Sequence, residues 1–382
     1  MKVVQVCPYD PDRHGGVQRN IHALDRALSA RGHETLIIAP GLGAAARSGL
    51  LRLGGMRSVA FAGTRFEVTW AGAAELARIL EDLKAWAPDV VHFHTPWDPL
   101  MPWQLFRRLD LPRVASFHDT PPPGLTGAAL RSLFKLLSRY LLDRLDGAIA
   151  VSAAPLAHLR PSTSGATPVV LPPVTDLQAF FANRKEQAAV PVILFVGRLE
   201  PRKGVQVLLD AVRLLAGGAV PLPHGPPRPR IVIAGDGDLR PLVLATQREL
   251  GGGWIEHVPA PSAERLLSLL REATFAVSPA LYGESFGIIL AEALASGTPI
   301  IGAGNAGYRS VLTGPGARLL VPPGNALALA QRMSELLADP AGLQSLSSWG
   351  RLHARQFDVA ERIGEFETVY VKAITHHARR MR

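Results

Sequence analysis

The 382-residue chain holds a single cysteine, Cys7, inside its first apolar run. One thiol can neither close an intramolecular disulfide nor build a cysteine metal cluster, so a disulfide scaffold is excluded and Cys7 reads as core. Aromatic residues make up 6% of the sequence and charged residues 19%, against 47% hydrophobic. That balance excludes a disordered chain, which could not bury enough apolar surface to order itself. No uninterrupted apolar run reaches the ~18 residues of a bilayer span, and the opening MKVVQV is too short for a signal-peptide core. The expectation is a cytoplasmic protein that does not span a membrane. Acidic residues are the scarcer sign, 32 against 41 Lys and Arg, for a formal net charge of +9. A basic surplus favours an anionic partner such as lipid headgroups or a phosphorylated substrate. Nucleic-acid motifs and basic runs interleaved with aromatics are missing, so no nucleic acid is expected.

What is present is a repeated alternation of short β-rich runs and helical periodicity. KVVQVCP, TLIIAP, VVHFH, RVASFH and GAIAVS read as strands, with helices from about Gly16 to Arg31 and Ala128 to Asp143. After the polar stretch Asn183 to Gln187 the pattern restarts: PVILFVG, a helix from Val205 to Leu215, RIVIAG, a helix from Leu239, FAVSP, an apolar helix carrying Glu292, and TPIIGAG. Strand, helix, strand repeated predicts parallel sheets with helices on both faces, and the length suits two units of ~150 residues or more. The predicted organisation is α/β, with doubly wound domains over 1–177 and 178–361. A terminal helix, about 362–382, is assigned back to the first. The stretch GGAVPLPHGPPRPR, Gly217 to Arg230, is expected to be a surface loop within the second domain.

Open parallel sheets bind ligands at the carboxyl ends of their strands, so the following loops should carry the chemistry. In PYDPDRHGGVQ, Gly15 and Gly16 precede a helix, where bare backbone lets a ligand approach and the helix end favours an anion. A plain flexible loop is the alternative. His118 closes the fourth strand, a place from which it could donate a hydrogen bond or a proton near neutral pH. His92 and His94 alternate to one face, but without a third ligand they make a poor metal site, and no metal is expected. In FVGRLEPRKGV, Arg198 and Lys203 bracket a Pro201–Gly204 turn. This aims a planar fork and a mobile point charge at one spot, which suits a diphosphate better than solvated surface charge would. In GESFGIILAEALASGTP a helix should start near Phe286 or Gly287 and expose its first amides to an anion. Glu284, just before it, suits sugar hydroxyls. Glu292, among Ile288, Ile289, Leu290, Ala291, Ala293 and Leu294, needs donors such as vicinal ribose hydroxyls.

GESFGIILAEALASGTPII resembles the E-x7-E signature of the retaining glycosyltransferases of family 4. VCPYD with GGVQ, ASFHDT, GRLEPRKGVQVLLDA and AGDGDLR stand in that family's order. The resemblance covers nearly the whole chain and is greatest to the bacterial phosphatidylinositol mannosyltransferase-like enzymes. It implies the GT-B fold, two Rossmann-like domains facing across a cleft, the first on the acceptor side and the second binding the nucleotide-sugar donor. It implies that Arg198 and Lys203 grip the donor diphosphate, and that Glu284 with the Phe286 and Gly287 amides holds the donor sugar, with Ile288 beside them. Glu292 would bind ribose. Gly15 and Gly16 would let the diphosphate and acceptor approach, and His118 would lie near the anomeric carbon. His118, Glu284, Arg198 and Lys203 are thus the implied catalytic set. The implied reaction moves a hexose, mannose from GDP-mannose first among the choices, to a lipid-linked or glycan acceptor. It would proceed by front-face displacement with retention, with no cofactor and no metal. Implied too is peripheral contact with an anionic membrane at the inner face of the plasma membrane.

Some stretches depart from the family. LPPVTD stands where members often carry Asn-Gly. ELARILEDLKAW stands where the mannosyltransferases carry a lysine-rich amphipathic helix, and here Arg78 and Lys84 share it with Glu75, Glu81 and Asp82. LRSLFKLLSRYLLDR is a second membrane candidate, with Arg131, Lys135 and Arg139 every four residues beside an apolar stripe, against the alternative of a domain helix with a solvated basic edge. GAGNAG, Gly302 to Gly307, satisfies the dinucleotide spacing, but Leu320 to Asn325 offer no acid for a ribose, which disfavours an NAD-dependent enzyme. Asp10 with Asp12, and Asp236 with Asp238, could suggest a metal-dependent transferase of another fold, against which the tandem units argue. A sugar-nucleotide 2-epimerase, a UDP-sugar-dependent glucosyl or N-acetylglucosaminyl transferase, and an inactive nucleotide-sugar-binding protein complete the alternatives.

Overall fold

The structure, a computed structural model, describes every residue except 13–14, 42–48, 62–63, 99, 161–164, 184, 187–188 and 224–226. The chain divides into two compact units, Met1–Asp176 with Val359–Arg382, and Leu177–Asp358.

In the first unit the strands are β1 (Lys2–Val6), β2 (Glu34–Ala39), β3 (Leu50–Arg52), β4 (Gly55–Phe61), β5 (Thr64–Trp70), β6 (Val90–His94), β7 (Arg113–Phe117), β8 (Gly147–Ala150) and β9 (Pro168–Val170). Seven form a parallel sheet in the order β3-β2-β1-β6-β7-β8-β9, while β4 and β5 pair as an antiparallel hairpin. The central strands are buried, β6 along its whole length VVHFH and β1 and β7 at all but their first residue, because helices cover both faces of the sheet. The terminal helix, Val359–Arg380, lays Val359, Ile363, Phe366, Tyr370 and Ala373 onto Val3, Val90, Val114 and Ile149. Burying one such side chain is worth roughly 1.5–3 kcal/mol.

In the second unit β10 (Val192–Val196), β11 (Arg230–Ala234), β12 (Ile255–Val258), β13 (Phe275–Ser278), β14 (Ile300–Ala303) and β15 (Leu320–Val321) form a parallel sheet in the order β12-β11-β10-β13-β14-β15. Of the polar stretch 183–187, Arg184 and Gln187 lie outside the described residues. Asn183 donates to the Leu267 carbonyl at 2.9 Å and Lys185 to the Leu270 carbonyl at 3.1 Å, so this segment is tied into the second unit. Of the loop Gly217 to Arg230, residues 224–226 are outside the described residues.

Strand order reverses once in each unit, between β1 and β6 and between β10 and β13. A crevice opens at such a switch point, outside the carboxyl ends of the strands. The loops that leave β1, β6, β10 and β13 are therefore where function is to be sought.

Candidate functional site

In the second unit the loop leaving β10 runs Gly197-Arg198-Leu199-Glu200 into a 3-10 turn, Pro201–Lys203. The loop leaving β13 is stitched to it, because the Leu281 amide donates to the Arg202 carbonyl at 2.8 Å. This brings five charges into one alternating series. Arg198 Nη1 lies 2.8 Å from Glu200 Oε1, and Arg202 Nε lies 3.0 Å from Glu200 Oε2. Arg202 Nη1 and Lys203 Nζ then both donate to Glu284 Oε1, at 3.3 and 2.6 Å. Three cations against two carboxylates leave a surplus of one positive charge. Arg198 is the exposed member, at 47% of its side chain, and Lys203 is mostly covered at 22%. Burial holds the Lys203 ammonium below its usual pKa, and Glu284 opposes that shift.

Beside this series the helix Ile288–Ala295 begins. The helix starts at Ile288, one residue later than the sequence suggested, because Gly287 takes the left-handed conformation, φ 95°, and serves as its N-cap. No side chain caps the first turn and no acid lies within it, so the amides there keep their attraction for an anion. Gly287 is also forced by space: a Cβ there would lie 2.4 Å from the Tyr308 ring. Tyr308, fully buried, bonds Ser278 Oγ through its hydroxyl at 2.7 Å. The GAGNAG stretch thereby finds its use. Asn305 Oδ1 accepts from the Tyr308 amide at 2.9 Å, and a Cβ on Gly307 would meet the Glu284 carbonyl oxygen at 2.2 Å. The motif is a close-packing surface that holds Glu284 in place.

The remaining candidates in this unit differ in how much surface they present. Phe286 is 4% exposed and meets Phe357 edge to face at 5.1 Å between centroids, so its side chain is spent on packing. Ile288, half-buried, opens the helix. Glu292 sits one further turn along, 2% exposed among Leu290, Ala291, Ala293 and Leu294. The structure thus gathers Arg198, Lys203, Glu284, Gly287 and Ile288 at the β10–β13 switch point. Arg202, Glu200 and Tyr308 join them. Sequence reading had passed over Arg202 and Glu200, although both lie inside the quoted RLEPRK.

In the first unit Gly15 is the N-cap and Gly16 the first residue of the helix Gly16–Ala30. His118 follows β7 and is half-buried. Its Nε2 lies 3.3 Å from His94 Nδ1, and His94 Nε2 lies 3.3 Å from Gln5 Oε1. His92 is spent on Tyr370 OH at 2.9 Å and Ser116 Oγ at 2.8 Å. Burial presses the His118 pKa down to about 4 and that of His92 to about 3. After β6 the chain turns through Thr95, whose φ of 53° is rare for a β-branched residue, to Asp98, which is 9% exposed. Burial, then the nearby Asp119, pushes the Asp98 carboxyl up to about 8, and burial takes Asp119 to about 6. Cys7 is buried, with its thiol donating to the Tyr9 carbonyl at 3.2 Å, and burial lifts its pKa to about 12.

Of the acidic pairs singled out in the sequence, three members meet an arginine. Arg52 pairs with both Asp10 and Asp12, and Asp236 pairs with Arg240 at 3.3 Å. Among the described residues no group of three or more His, Cys, Asp or Glu side chains is arranged to hold a metal ion, and no helix is long and apolar enough to cross a membrane.

Residues 14–179 match the family model described as Glycosyltransferase Family 4, and residues 178–353 match that described as Glycosyl transferases group 1. A phosphatidyl-myo-inositol mannosyltransferase of Propionibacterium freudenreichii subsp. shermanii is 34% identical over 378 residues, covering 94% of this chain and 91% of its own. Among solved structures, the sucrose-phosphate synthase of Thermosynechococcus elongatus superposes with a TM-score of 0.76 at 22% identity, covering 98% of this chain and 99% of that one. HepE of Anabaena, solved in complex with UDP, gives 0.70 at 15% identity, covering 96% and 99%. The chain belongs to the family 4 glycosyltransferases of GT-B fold, as a relative of the bacterial phosphatidyl-myo-inositol mannosyltransferases.

Proposed function

We propose that this glycosyltransferase moves mannose from GDP-mannose to a lipid-linked acceptor, with retention at the anomeric carbon and without a metal. The observation that carries the donor side is the series Arg198–Glu200–Arg202–Glu284–Lys203 beside an uncapped helix start. A diphosphate entering there meets a surplus positive charge, a planar guanidinium and free amides, which together offset the charge that develops on the leaving group. Glu284, gripped by Lys203 and Arg202, suits a hydrogen-bond acceptor for sugar hydroxyls better than a nucleophile. The reading is therefore front-face displacement. The acceptor oxygen bonds to the anomeric carbon, the bond from that carbon to the phosphate oxygen breaks, and the departing phosphate takes the acceptor's proton. Mannosyl transfer to a lipid follows the relative at 34% identity.

Thermal unfolding with GDP, UDP or ADP tests the donor. A nucleotide at ~100 times its dissociation constant stabilises by about 2.7 kcal/mol. We expect GDP to do so selectively and Glu292→Ala to lose the effect. A preference for UDP moves the reading to glucosyl or N-acetylglucosaminyl transfer, and no response to any nucleotide overturns the donor assignment.

The membrane face we assign to the helix Gly124–Leu142. It exposes Leu125 at 91%, Leu136 at 69% and Leu133 at 46% alongside exposed Lys135 and Arg139. A basic amphipathic helix of this kind lies in the interface of an anionic bilayer. The helix Ala73–Trp86 instead turns Glu81 and Asp82 outward with Arg78 and Lys84. Sedimentation with vesicles should show binding to phosphatidylglycerol but not to phosphatidylcholine alone, weakened in Leu136→Glu. Equal recovery with both vesicles sinks the assignment.

A further inference from the structure

We propose that Gln5 and His94 are positioning residues that fix His118 in one tautomer, with Nε2 protonated and Nδ1 presented as a bare hydrogen-bond acceptor. One group in this chain of contacts has a polarity that admits no choice. The Ile21 carbonyl oxygen can only accept, and Gln5 Nε2 lies 3.4 Å from it, so Gln5 donates there and turns Oε1 the other way. Flipping the amide would set two acceptors against each other. Gln5 Oε1 then requires a donor from His94 Nε2, 3.3 Å away. A neutral imidazole carries one proton, so His94 Nδ1 is left as an acceptor, and His118 Nε2, 3.3 Å from it, must be the donor. By the same rule His118 Nδ1 holds a lone pair.

The packing keeps each ring neutral, which the relay needs. Gln5, His92 and His94 are all fully buried, and His92 lies against His94 with centroids 4.1 Å apart. Burial disfavours charge on all three rings. His92 is saturated by Tyr370 and Ser116, so it adds bulk and not a competing hydrogen bond.

The consequence for function rests on the glycosyl-transfer reading together with the family resemblance, which implies that His118 lies near the anomeric carbon. A bare Nδ1 accepts from a hydroxyl and cannot donate to an oxyanion. The geometry suits His118 to accept from a hydroxyl-bearing part of a substrate.

Nitrogen-15 histidine NMR of the full chain tests the lock directly, with the His118 signals assigned by their loss in His118→Ala. The expected wild-type spectrum shows Nε2 protonated and Nδ1 bare. Gln5→Leu or His94→Leu should mix the two tautomers and lower transfer about tenfold, the worth of one hydrogen bond near 1.4 kcal/mol. His94→Asn, whose carbonyl oxygen can replace the Nδ1 acceptor, should restore the single tautomer and most of the activity. A wild-type His118 protonated at Nδ1 overturns the proposal without any variant having to fold, and so does an unchanged tautomer in a folded His94→Leu. Full transferase activity in His118→Ala would overturn the placement of His118 at the reacting centre and leave the lock standing.

Discussion

Lys203→Ala should lower transfer by roughly 10²–10³-fold, the usual loss when one preorganised donor to a developing negative charge is removed. Lys203 lies 2.6 Å from Glu284 and is mostly covered, so its field reaches a bound diphosphate through little water. The fold should survive the change. Stripping a buried carboxylate of every partner costs about 3–5 kcal/mol, but Arg202 still reaches Glu284 at 3.3 Å. Turnover and melting temperature measured on the same preparation separate the two effects. Glu284→Gln in the Lys203→Ala background adds a second check, because residues of one charge series should be strongly non-additive. Normal turnover by Lys203→Ala would falsify the diphosphate assignment.

Asp98→Asn should stabilise the first unit, by an amount that grows with pH. The folded pKa of Asp98, about 8, stands above its ordinary value of 3.8. A group raised in this way contributes its stability fully below the unfolded pKa and loses it as pH rises through the folded one. Between about pH 4 and pH 8 the wild type should therefore lose stability relative to the asparagine variant, reaching a gap of a few kcal/mol by pH 8 and no more beyond it. His92 and His118 act at the other end. Their depressed pKa values, about 3 and about 4, keep stability intact above the unfolded value near 6.5 and lose it as pH falls towards the folded ones. Wild type and variant should thus weaken together in acid and part company between about pH 4 and pH 8. Hydrogen exchange of the β6 and β7 amides at pH 5, 7 and 9 reports on this unit in particular. A pH-independent difference between the two proteins would count against the buried carboxyl. A substitution that stabilises so strongly also marks Asp98 as a residue kept for something other than stability.

The architecture was legible where the sheet is buried on both faces. The runs that became β10, β11, β13 and β14 are almost wholly apolar and those that became β1, β6 and β7 are mostly so, because helices cover both faces of each sheet. The strands the sequence hid are the edges, β3, β9, β12 and β15, and the β4–β5 hairpin. The edges are short, two to four residues each, and β4 shows neither a run nor a clean alternation; RFEVTW in β5 does alternate, but its partner is β4 alone and not the main sheet. At the site, residue type and strand-end position drew attention to Arg198, Lys203 and Glu284, yet not to their mutual pairing. Glu200 and Arg202 are ordinary surface residues in a one-dimensional reading. They gain meaning only when the loops after β10 and β13 come together. Gly302 to Gly307 taught the converse lesson: a spacing that satisfies a cofactor motif serves here to let Gly307 pass the Glu284 backbone.

The return of Val359–Arg382 to the first unit sets an order of events during synthesis. When Asp358 leaves the ribosome, every residue of Leu177–Asp358 has been made, and that unit can close its core. The earlier-made sheet still lacks Ile363, Phe366 and Tyr370, and until they arrive Val3, Val90 and Val114 keep an apolar face open and His92 lacks its tyrosine. Domains that finish as units normally do so from the amino terminus onward; here the half made first is the half completed last.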